Sequence, residues 1–433
     1  MYRLLSDLVL YNDFGKDSIL ESLADIFRTW ENASASEDAL RHAVNVQVKK
    51  LLELVTACGF DGNLWHNYLT YLIITNENSF SLTCEGAGAT AGASVNIFAK
   101  NDFSVFKKLF DFNFAPFEHD LGISCFSLLE DYTAIPKTEN IYDREVSINV
   151  RSLSRRIACA VDENEIFDIV TDFYRKSGVG MFGLHRAFRL KEDAGGIDFI
   201  PVISADAVRL SDLVGYERQK EELCRNTEAF CEGRKANNVL LYGDAGTGKS
   251  TSIKAVLNEY CGRGLRMVEI YKHQFRCLSD ILARLKKRNY KFIIYIDDLS
   301  FEENEIEYKF LKAVIEGGVE NKPDNILIYA TSNRRHLIRE TWNDRNDMKF
   351  NGDVHTSETM EEKLSLAARF GVSINYPSPR RQEFNDIVIA LARRKGLALS
   401  DEELIFEASR WEIRHGGLSG RTAEQFVNYL LGK

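Results

Sequence analysis

From Val208 onward, short apolar runs alternate with segments whose apolar residues recur at helical spacing. The apolar runs predict strands at 238–242, 265–271, 291–297, 325–331 and 371–375. Strands that alternate with helices are typical of a parallel sheet covered by helices on both faces. After Pro377 and Pro379 the periodicity is helical to the last residue. We therefore expect an α/β subdomain at 208–376 and a smaller helical subdomain at 377–433.

The pattern before residue 208 is less regular. Two apolar stripes near the start of the chain have helical spacing and predict helices. Polar and apolar residues alternate over Ser79–Cys84, which predicts a strand, and the polar, glycine-rich segment Lys191–Gly196 predicts a surface turn. No set of catalytic side chains stands out between residues 94 and 190. We expect residues 1–207 to form a mixed α/β, largely helical domain of unknown role.

Composition indicates a globular protein of two or three domains. The 433 residues are 45% hydrophobic and include only 6 Pro. The 8 Cys are scattered without a CxxC pair, which favours unpaired thiols in a reducing compartment. The apolar N-terminal stretch is interrupted by Asp7, and no apolar run has the length of a membrane span. We expect a cytoplasmic protein that does not enter a membrane.

Charge differs between the two parts of the chain. Residues 1–208 carry 19 Lys and Arg against 30 Asp and Glu, whereas residues 209–433 carry 36 against 34. An acidic surface repels phosphate backbones, so a nucleic acid could bind only through local patches of the second part. One basic cluster precedes the third predicted strand: Arg284, Lys286, Lys287, Arg288 and Lys291. This cluster fits a solvated helix end, and a nucleic-acid or partner contact stays open.

The most informative motif is GDAGTGKST at Gly243–Thr251, directly after the apolar run at 239–242. It matches the phosphate-binding loop GxxxxGK[ST], in which glycines let backbone N–H groups curl around nucleotide phosphates. Lys249 would reach the β and γ phosphates, and Ser250 would supply an oxygen to Mg²⁺. The residues predicted to bind nucleotide in this loop are Asp244, Ala245, Gly246, Thr247, Gly248, Lys249, Ser250 and Thr251.

A second motif follows, where the apolar run 292–296 ends in Asp297 and Asp298. A Mg²⁺ ion held by the loop serine needs an acidic residue at the end of a nearby strand, and Asp297 fits that position. Asp298 is then placed to act as the general base that polarises the attacking water. Glu302 is an alternative base.

Together with these two motifs, Ala330–Asn333 at the end of the next strand and Gly420–Arg421 on a late helix resemble the AAA+ ATPases. The resemblance covers roughly residues 209–433. The chain is similar to a poorly characterised bacterial group of AAA+ ATPases that have an N-terminal domain of unknown function. The acidic pair Asp-Asp is also similar to that of replication-initiator and helicase-loader ATPases.

The resemblance implies roles for several further residues. Asn333 would be the polar residue, called sensor 1, that positions the attacking water. Val214 and Gly215 would flank the adenine. Arg421 would be the lid arginine, called sensor 2, that reaches the γ-phosphate of its own subunit. Arg369 would be an arginine finger offered to a neighbouring subunit. An always-charged planar donor suits the negative charge that develops in phosphoryl transfer.

The implied cofactors are ATP and Mg²⁺, and the implied activity is ATP hydrolysis coupled to remodelling or assembly of a macromolecular partner. The alternative is a switch or loader that hydrolyses ATP slowly. An arginine finger requires a homo-oligomer, in this superfamily usually of about six subunits, and the N-terminal domain would bind a protein partner. Tyr271 follows the second strand, where unfoldase relatives carry an aromatic pore loop, but ordinary packing also explains it. A small-molecule kinase would have no use for the two arginines and Asn333.

Overall fold

A computed structural model describes residues 1–15, 17–134, 142, 144–193, 196–203, 208–301, 305–316, 323–333 and 366–432. The chain divides into two compact units. The N-terminal unit comprises Met1–Arg186 and Pro201–Ala205, and the C-terminal unit comprises Ala187–Ile200 and Asp206–Lys433.

The N-terminal unit is built of helices in its described part, around a core rich in phenylalanine and tyrosine. Their bounds are α1 Tyr2–Leu5, α2 Ile19–Glu31, α3 Glu37–Cys58, α4 Leu64–Thr75, α5 Ser79–Cys84, α6 Val95–Phe110, α7 Ala115–Leu121, α8 Cys125–Glu130, α9 Arg144–Cys159, α10 Glu163–Ser177 and α11 Gly180–Leu184. The buried carboxylate of Asp102 on α6 accepts hydrogen bonds from the backbone N–H groups of Val9, Leu10 and Tyr11. These bonds attach the N-terminal segment to α6.

The strand predicted at Ser79–Cys84 is wrong, because these residues form α5. The Asn78 side chain accepts hydrogen bonds from the N–H groups of Phe80 and Ser81, and the Ser81 hydroxyl accepts one from the Asn78 N–H. This reciprocal cap satisfies backbone donors that a helix start leaves unpaired. Local capping therefore outweighs the alternation of polar and apolar residues.

The C-terminal unit contains a seven-stranded, mostly parallel sheet flanked by helices. The strands are β1 Ala187–Asp193, β2 Gly196–Pro201, β3 Val239–Gly243, β4 Leu265–Glu269, β5 Lys291–Ile296, β6 Ile326–Ser332 and β7 Val372–Tyr376, in the order β2-β1-β4-β5-β6-β3-β7. The five strands predicted after residue 208 are confirmed. Every residue of β6 is buried, as expected for a central parallel strand between two helix layers.

The sequence did not reveal β1 and β2, which extend the sheet beyond β4. Residues 191–193, predicted as part of a turn, belong to β1. Residues 187–200 of β1 and β2 belong to the C-terminal unit, although they precede residue 208, where the regular alternation begins. Arg189 on β1 forms an ion pair with Glu269 on β4 at 2.6 Å, which adds a side-chain link to the backbone pairing.

Helices cover this sheet and continue into a small helical lid. Their bounds are α12 Glu217–Cys231, α13 Lys249–Tyr260, α14 Leu278–Leu285, α15 Glu307–Glu316, α16 Arg381–Arg394, α17 Asp401–Arg414 and α18 Gly420–Leu431. The last three share a core that includes Phe384, Leu404 and Phe426, all almost completely buried. Among the described helices, none is both long and apolar enough to cross a membrane.

Candidate functional site

A cavity of about 530 Å³ lies in the C-terminal unit, where the ends of β5 and β6 meet the start of α13 and the lid. Ligands of parallel α/β sheets bind at such carboxyl ends of strands. The lining residues are Val208, Asp212, Leu213, Val214, Tyr216, Ala245, Gly246, Thr247, Gly248, Lys249, Ser250, Thr251, Asp297, Asp298, Thr331, Asn333, Ile387, Leu391, Arg394, Gly420, Arg421 and Glu424. Most of the predicted site residues are therefore in one place. Asp244, Gly215 and Arg369 are not among the described lining residues.

The predicted phosphate loop connects β3 to α13, as its motif requires. Gly243 has a φ of 135°, and a Cβ there would lie 2.1 Å from the carbonyl oxygen of Tyr376 on β7. Gly246 has a φ of 77° and packs against Arg421 and Ser419 of the lid. Only glycine adopts these conformations without strain. The loop thereby ends at the N-terminus of a 12-residue helix, where unpaired N–H groups and the helix dipole favour an anion.

Lys249 is the first residue of α13, and its side chain is buried. Its Nζ donates hydrogen bonds to the carbonyl oxygens of Gly243 at 2.8 Å and Asp244 at 2.6 Å, and to Oδ1 of Asn333 at 3.1 Å. Burial lowers the pKa of Lys249 from its ordinary value. All three hydrogen-bond partners are neutral oxygens, so a phosphate oxygen would be a stronger acceptor for this ammonium group.

The Ser250 hydroxyl donates a hydrogen bond to Oδ1 of Asp297 at 2.7 Å, across the gap between α13 and the end of β5. Thr331 at the end of β6 donates to the same oxygen at 2.5 Å. Burial raises the pKa of the Asp297 carboxyl group, but these hydrogen bonds, with weaker contacts from Tyr295 and the Asp298 backbone, outweigh burial and lower the pKa. Asp297 is therefore a carboxylate at neutral pH.

Asp298 follows in a left-handed backbone conformation, with a φ of 50°. For a residue other than glycine such a conformation costs about 1–3 kcal/mol and is often found at functional sites. Its N–H donates to Oγ1 of Thr331 at 2.9 Å, and its carboxylate accepts a hydrogen bond from Nδ2 of Asn333 at 2.8 Å. The sequence motifs therefore bring Asp298 and Asn333 into direct contact. The alternative base, Glu302, lies outside the described residues.

The other end of the cavity is apolar. Leu213 and Val214 precede α12, while Ile387 and Leu391 project from lid helix α16. An apolar slot of this kind suits the flat face of a nucleobase, and Val214 is one of the residues that line it. Neighbouring Gly215 has a φ of 79°, so its contribution in the described chain is the turn before α12.

Arg394, at the end of α16, joins the lid to this apolar end. Its guanidinium group donates hydrogen bonds to the carbonyl oxygen of Asp212 at 3.1 and 3.2 Å, and one nitrogen lies 3.5 Å from the Asp212 carboxylate. Because no sequence motif contains Arg394, the sequence analysis missed it. It also missed Thr331. This residue is part of the segment Ala330–Asn333, in which the sequence analysis gave a role only to Asn333.

Two further contacts hold the lid against the phosphate loop. The N–H of Arg421, near the start of α18, donates to the carbonyl oxygen of Gly246 at 3.2 Å. Oδ2 of Asp244 accepts hydrogen bonds from the hydroxyl and N–H of Ser378, at 2.7 and 3.0 Å, in the segment that connects β7 to α16. These hydrogen bonds lower the pKa of Asp244. Asp244 thus contacts the lid connection with its side chain, and only its carbonyl oxygen turns toward Lys249.

Arg369 lies in the turn that precedes β7, and its side chain is exposed. It does not contribute to the described lining of the cavity in its own chain.

Tyr271 is 43% exposed after β4, and its ring stacks on His273. In the basic cluster, Arg284 donates a hydrogen bond to the carbonyl oxygen of Ile197 on β2. Part of that cluster therefore has a structural role at the sheet edge.

The oxygen ligands at Ser250 and Asp297 fit Mg²⁺, which prefers hard oxygen donors. Among the described residues there is no group of three or more His, Cys, Asp or Glu side chains that could hold a metal. Mg²⁺ in nucleotide sites takes one or two protein ligands, with phosphate and water oxygens completing its shell. The buried hydroxyl group of Tyr295 also lies close to this pair, and among the described residues it makes no hydrogen bond of full geometry.

A parallel sheet with a phosphate loop after one strand, an acidic pair after another and a helical lid defines the AAA+ class of P-loop ATPases. The chain belongs to the family DUF815, described as a protein of unknown function, whose model matches residues 183–433. This match begins just before β1, so it includes both β1 and β2.

Curated relatives match over short segments. The chain is 43% identical over 51 residues to the replication factor C large subunit of Methanococcus vannielii, covering 12% of this chain and 10% of that protein. It is 34% identical over 74 residues to the same subunit of Staphylothermus marinus, covering 17% of each. The chain therefore spans under a fifth of the length of these relatives.

Among solved structures, the Thermotoga maritima RuvB Holliday junction branch migration motor matches with a TM-score of 0.36 and 15% identity, over 52% of this chain and 64% of that one.

Proposed function

We propose that this protein binds and hydrolyses ATP and couples the cycle to remodelling or assembly of a macromolecular partner. The observation that carries the proposal is the contact between Ser250 on the phosphate loop and Asp297 at the end of β5, at 2.7 Å. These residues are 47 positions apart in sequence. Their meeting beside Lys249 creates the combination of groups that a nucleotide triphosphate with Mg²⁺ requires.

Each group at the phosphate end has a role in binding. The N–H groups at the start of α13 and the ammonium of Lys249 bind the β and γ phosphates. Ser250 and Asp297 would hold Mg²⁺ against the phosphate oxygens. When bound, the ion supplies positive charge that offsets the charge developing on the phosphoryl group. Val214 and its apolar neighbours hold the adenine.

Hydrolysis requires a water molecule in line with the γ-phosphate. Its oxygen forms a bond to the γ phosphorus while the bond from that phosphorus to the β–γ bridging oxygen breaks, and ADP leaves with the electron pair. Asp298 accepts the proton of the water, and Asn333 orients both the water and the carboxylate that it already contacts at 2.8 Å. Arg421 from the lid stabilises the transferred group within the subunit. Arg369 acts on the nucleotide of the next subunit in a homo-oligomer.

A second candidate is a slow-hydrolysing switch or loader, in which bound ATP mainly controls assembly. The observation that favours it concerns the length and the hydrogen bonding of the Asp298 side chain. This side chain is one methylene shorter than glutamate, and its carboxylate is engaged by Asn333. A base that must first leave an existing hydrogen bond abstracts a proton less readily. The acidic N-terminal unit would bind the protein partner in either case.

The proposal is tested by Lys249→Ala, with Lys235→Ala as a control at an exposed lysine outside the site. Purified wild-type protein and Lys235→Ala should bind a fluorescent ATP analogue and release phosphate from ATP. Lys249→Ala should do neither, because the phosphates lose their cationic partner. Equal turnover in Lys249→Ala and wild type would reject the proposed site.

The two candidates differ in turnover and assembly. Molar mass is measured by light scattering on a sizing column, with and without ATP, alongside steady-state phosphate release. A switch assembles with ATP at negligible turnover, whereas a remodelling ATPase turns over continuously and is stimulated by its partner. Asp298→Asn should retain ATP without hydrolysing it, which makes it the variant for capturing a partner from cell extract.

A further inference from the structure

Tyr295 lies on β5, two positions before Asp297. Its side chain is 1% exposed, and its hydroxyl group makes no contact of full hydrogen-bond geometry with a described residue. Side chains two positions apart on a strand face the same side of the sheet. The phenol ring therefore extends on the same side as the Asp297 carboxylate. Burial raises the pKa of its hydroxyl most, and the nearby Asp297 and Ser250 side chains also shift that pKa, as weak hydrogen-bond neighbours.

A neighbouring tyrosine shows what a buried hydroxyl in this sheet ordinarily does. Tyr329 on β6 is the register partner of Tyr295 and is 0% exposed. Its hydroxyl is paired with the Thr227 hydroxyl at 2.8 Å and accepts a hydrogen bond from Asn226 at 3.1 Å. Buried polar groups are nearly always well paired, so the Tyr295 hydroxyl, which lacks a well-formed hydrogen bond, needs an explanation.

The hydrogen bonds around Asp297 provide one. Ser250 and Thr331 both donate to Oδ1 of this carboxylate, which makes Oδ1 the crowded oxygen. Among the described residues, no hydrogen bond of full geometry to Oδ2 accompanies these two, so Oδ2 is the oxygen that could take an ion and one more donor. Arrival of a metal ion at Ser250 and Asp297 would reorient both side chains, and such ligands are usually held by additional hydrogen bonds from outside the coordination shell.

We propose that Tyr295 is a positioning residue of the magnesium site, whose hydroxyl becomes hydrogen-bonded to the Asp297–Ser250 pair when nucleotide and Mg²⁺ bind. This inference rests on the proposed function, because it requires a nucleotide-bound ion at that pair. Tyr295 does not contact the nucleotide. It acts by fixing the orientation of the residues that hold the ion.

The test is Tyr295→Phe, which removes only the hydroxyl group, with Tyr329→Phe as the matched control. Binding of a ribose-labelled fluorescent ADP is measured during titration with MgCl₂ and in EDTA, and the melting temperature of the nucleotide-free protein is measured separately. We expect Tyr295→Phe to raise the apparent dissociation constant for Mg²⁺ about tenfold, as is typical for residues that support metal ligands. Its affinity for nucleotide in EDTA and its melting temperature should not fall.

Tyr329→Phe should behave in the opposite way. It loses an existing hydrogen bond to Thr227, so the melting temperature falls while the dissociation constant for Mg²⁺ stays that of wild type. An unchanged Mg²⁺ constant in Tyr295→Phe would overturn the inference, as would a fall in melting temperature equal to that of Tyr329→Phe. If wild-type protein binds nucleotide without any dependence on Mg²⁺, the proposed function itself fails, which is a different result.

Discussion

The amide of Asn333 donates a hydrogen bond to the carboxylate of Asp298 at 2.8 Å, and its oxygen accepts one from Lys249 at 3.1 Å. One side chain at the end of β6 thus connects the phosphate-binding lysine to the acidic residue proposed as the base. In the proposed cycle, a γ-phosphate that drew Lys249 away from Asn333 would change the hydrogen bonding of Asp298 as well. If the proposed function holds, this contact would connect nucleotide binding directly to the proposed base.

The first prediction concerns this amide. Asn333→Asp keeps the shape of the side chain but places a negative charge against Asp298, so the proton-accepting carboxylate is repelled and loses its donor. We expect phosphate release to fall about 100-fold, within the range for loss of a positioned group in proton transfer. Binding of a fluorescent ATP analogue should weaken far less than in Lys249→Ala. Wild-type turnover in Asn333→Asp would show that this amide has no part in hydrolysis.

The second prediction concerns Thr331, whose hydroxyl donates to Asp297 and accepts from the N–H of Asp298. Thr331→Val has nearly the same volume but leaves a buried carboxylate short of one donor and an N–H unpaired. We expect a loss of about 1–3 kcal/mol in the free energy of unfolding, measured by urea denaturation. Turnover should fall with it, because Asp298 is no longer fixed.

Thr331→Ser distinguishes the contribution of the hydroxyl group from that of the methyl group, because it keeps the first and removes the second. It restores both hydrogen bonds, so its turnover and its apparent affinity for Mg²⁺ should return toward those of wild type. If Thr331→Ser is impaired while Thr331→Val keeps wild-type turnover, the methyl packing of Thr331 is what matters, and the hydrogen-bond argument is wrong.

The third prediction concerns the link between Asp244 and Ser378. Asp244→Ala removes the acceptor of both hydrogen bonds, so the lid should open more readily and release nucleotide faster, as measured by stopped-flow displacement of a fluorescent ADP. The effect should depend on pH. Since the pKa of Asp244 is lowered in the folded protein, the link is present at neutral pH and is lost as pH falls through that lowered value.

The release rates of wild type and Asp244→Ala should therefore differ at pH 7 and converge under acidic conditions. Ser378→Ala is the graded control, because it loses the hydroxyl bond and keeps the N–H bond. A constant ratio of rates between pH 7 and the acid limit of folding would exclude a role for ionised Asp244.

The parts of the site that could be predicted are those carried by contiguous sequence. The loop from Gly243 to Ser250 has a fixed spacing because a short backbone segment of this motif must curl around a phosphate. The acidic pair Asp297 and Asp298 has a fixed position because it directly follows the end of a strand. Apolar runs likewise marked five strands, since a parallel strand buried on both faces has almost no polar residues.

The parts that could not be predicted depend on pairs that only folding brings together. Arg394 lies 182 positions from Asp212, and Ser378 lies 134 positions from Asp244. Polar side chains at such separations have no spacing rule, because the approach depends on how the lid docks on the loop. The wrong prediction of a strand at Ser79–Cys84 has a local cause instead. Here a hydrogen-bonded cap starts a helix, and the alternation of polar and apolar residues carries no information about caps.

The last prediction tests whether Arg369 acts between subunits. Its exposed position outside the described lining of its own cavity leaves a neighbouring subunit as the place where it would meet a nucleotide. Arg369→Ala and Lys249→Ala should each lose hydrolysis, but only Arg369→Ala should still bind ATP.

When the two variants are mixed, some interfaces pair the intact Lys249 of one subunit with the intact Arg369 of the other. Phosphate release should then exceed the sum of the separate variants, with a maximum near equal proportions. A mixture no more active than its components, although mass measurements show mixed oligomers, would remove Arg369 from the mechanism.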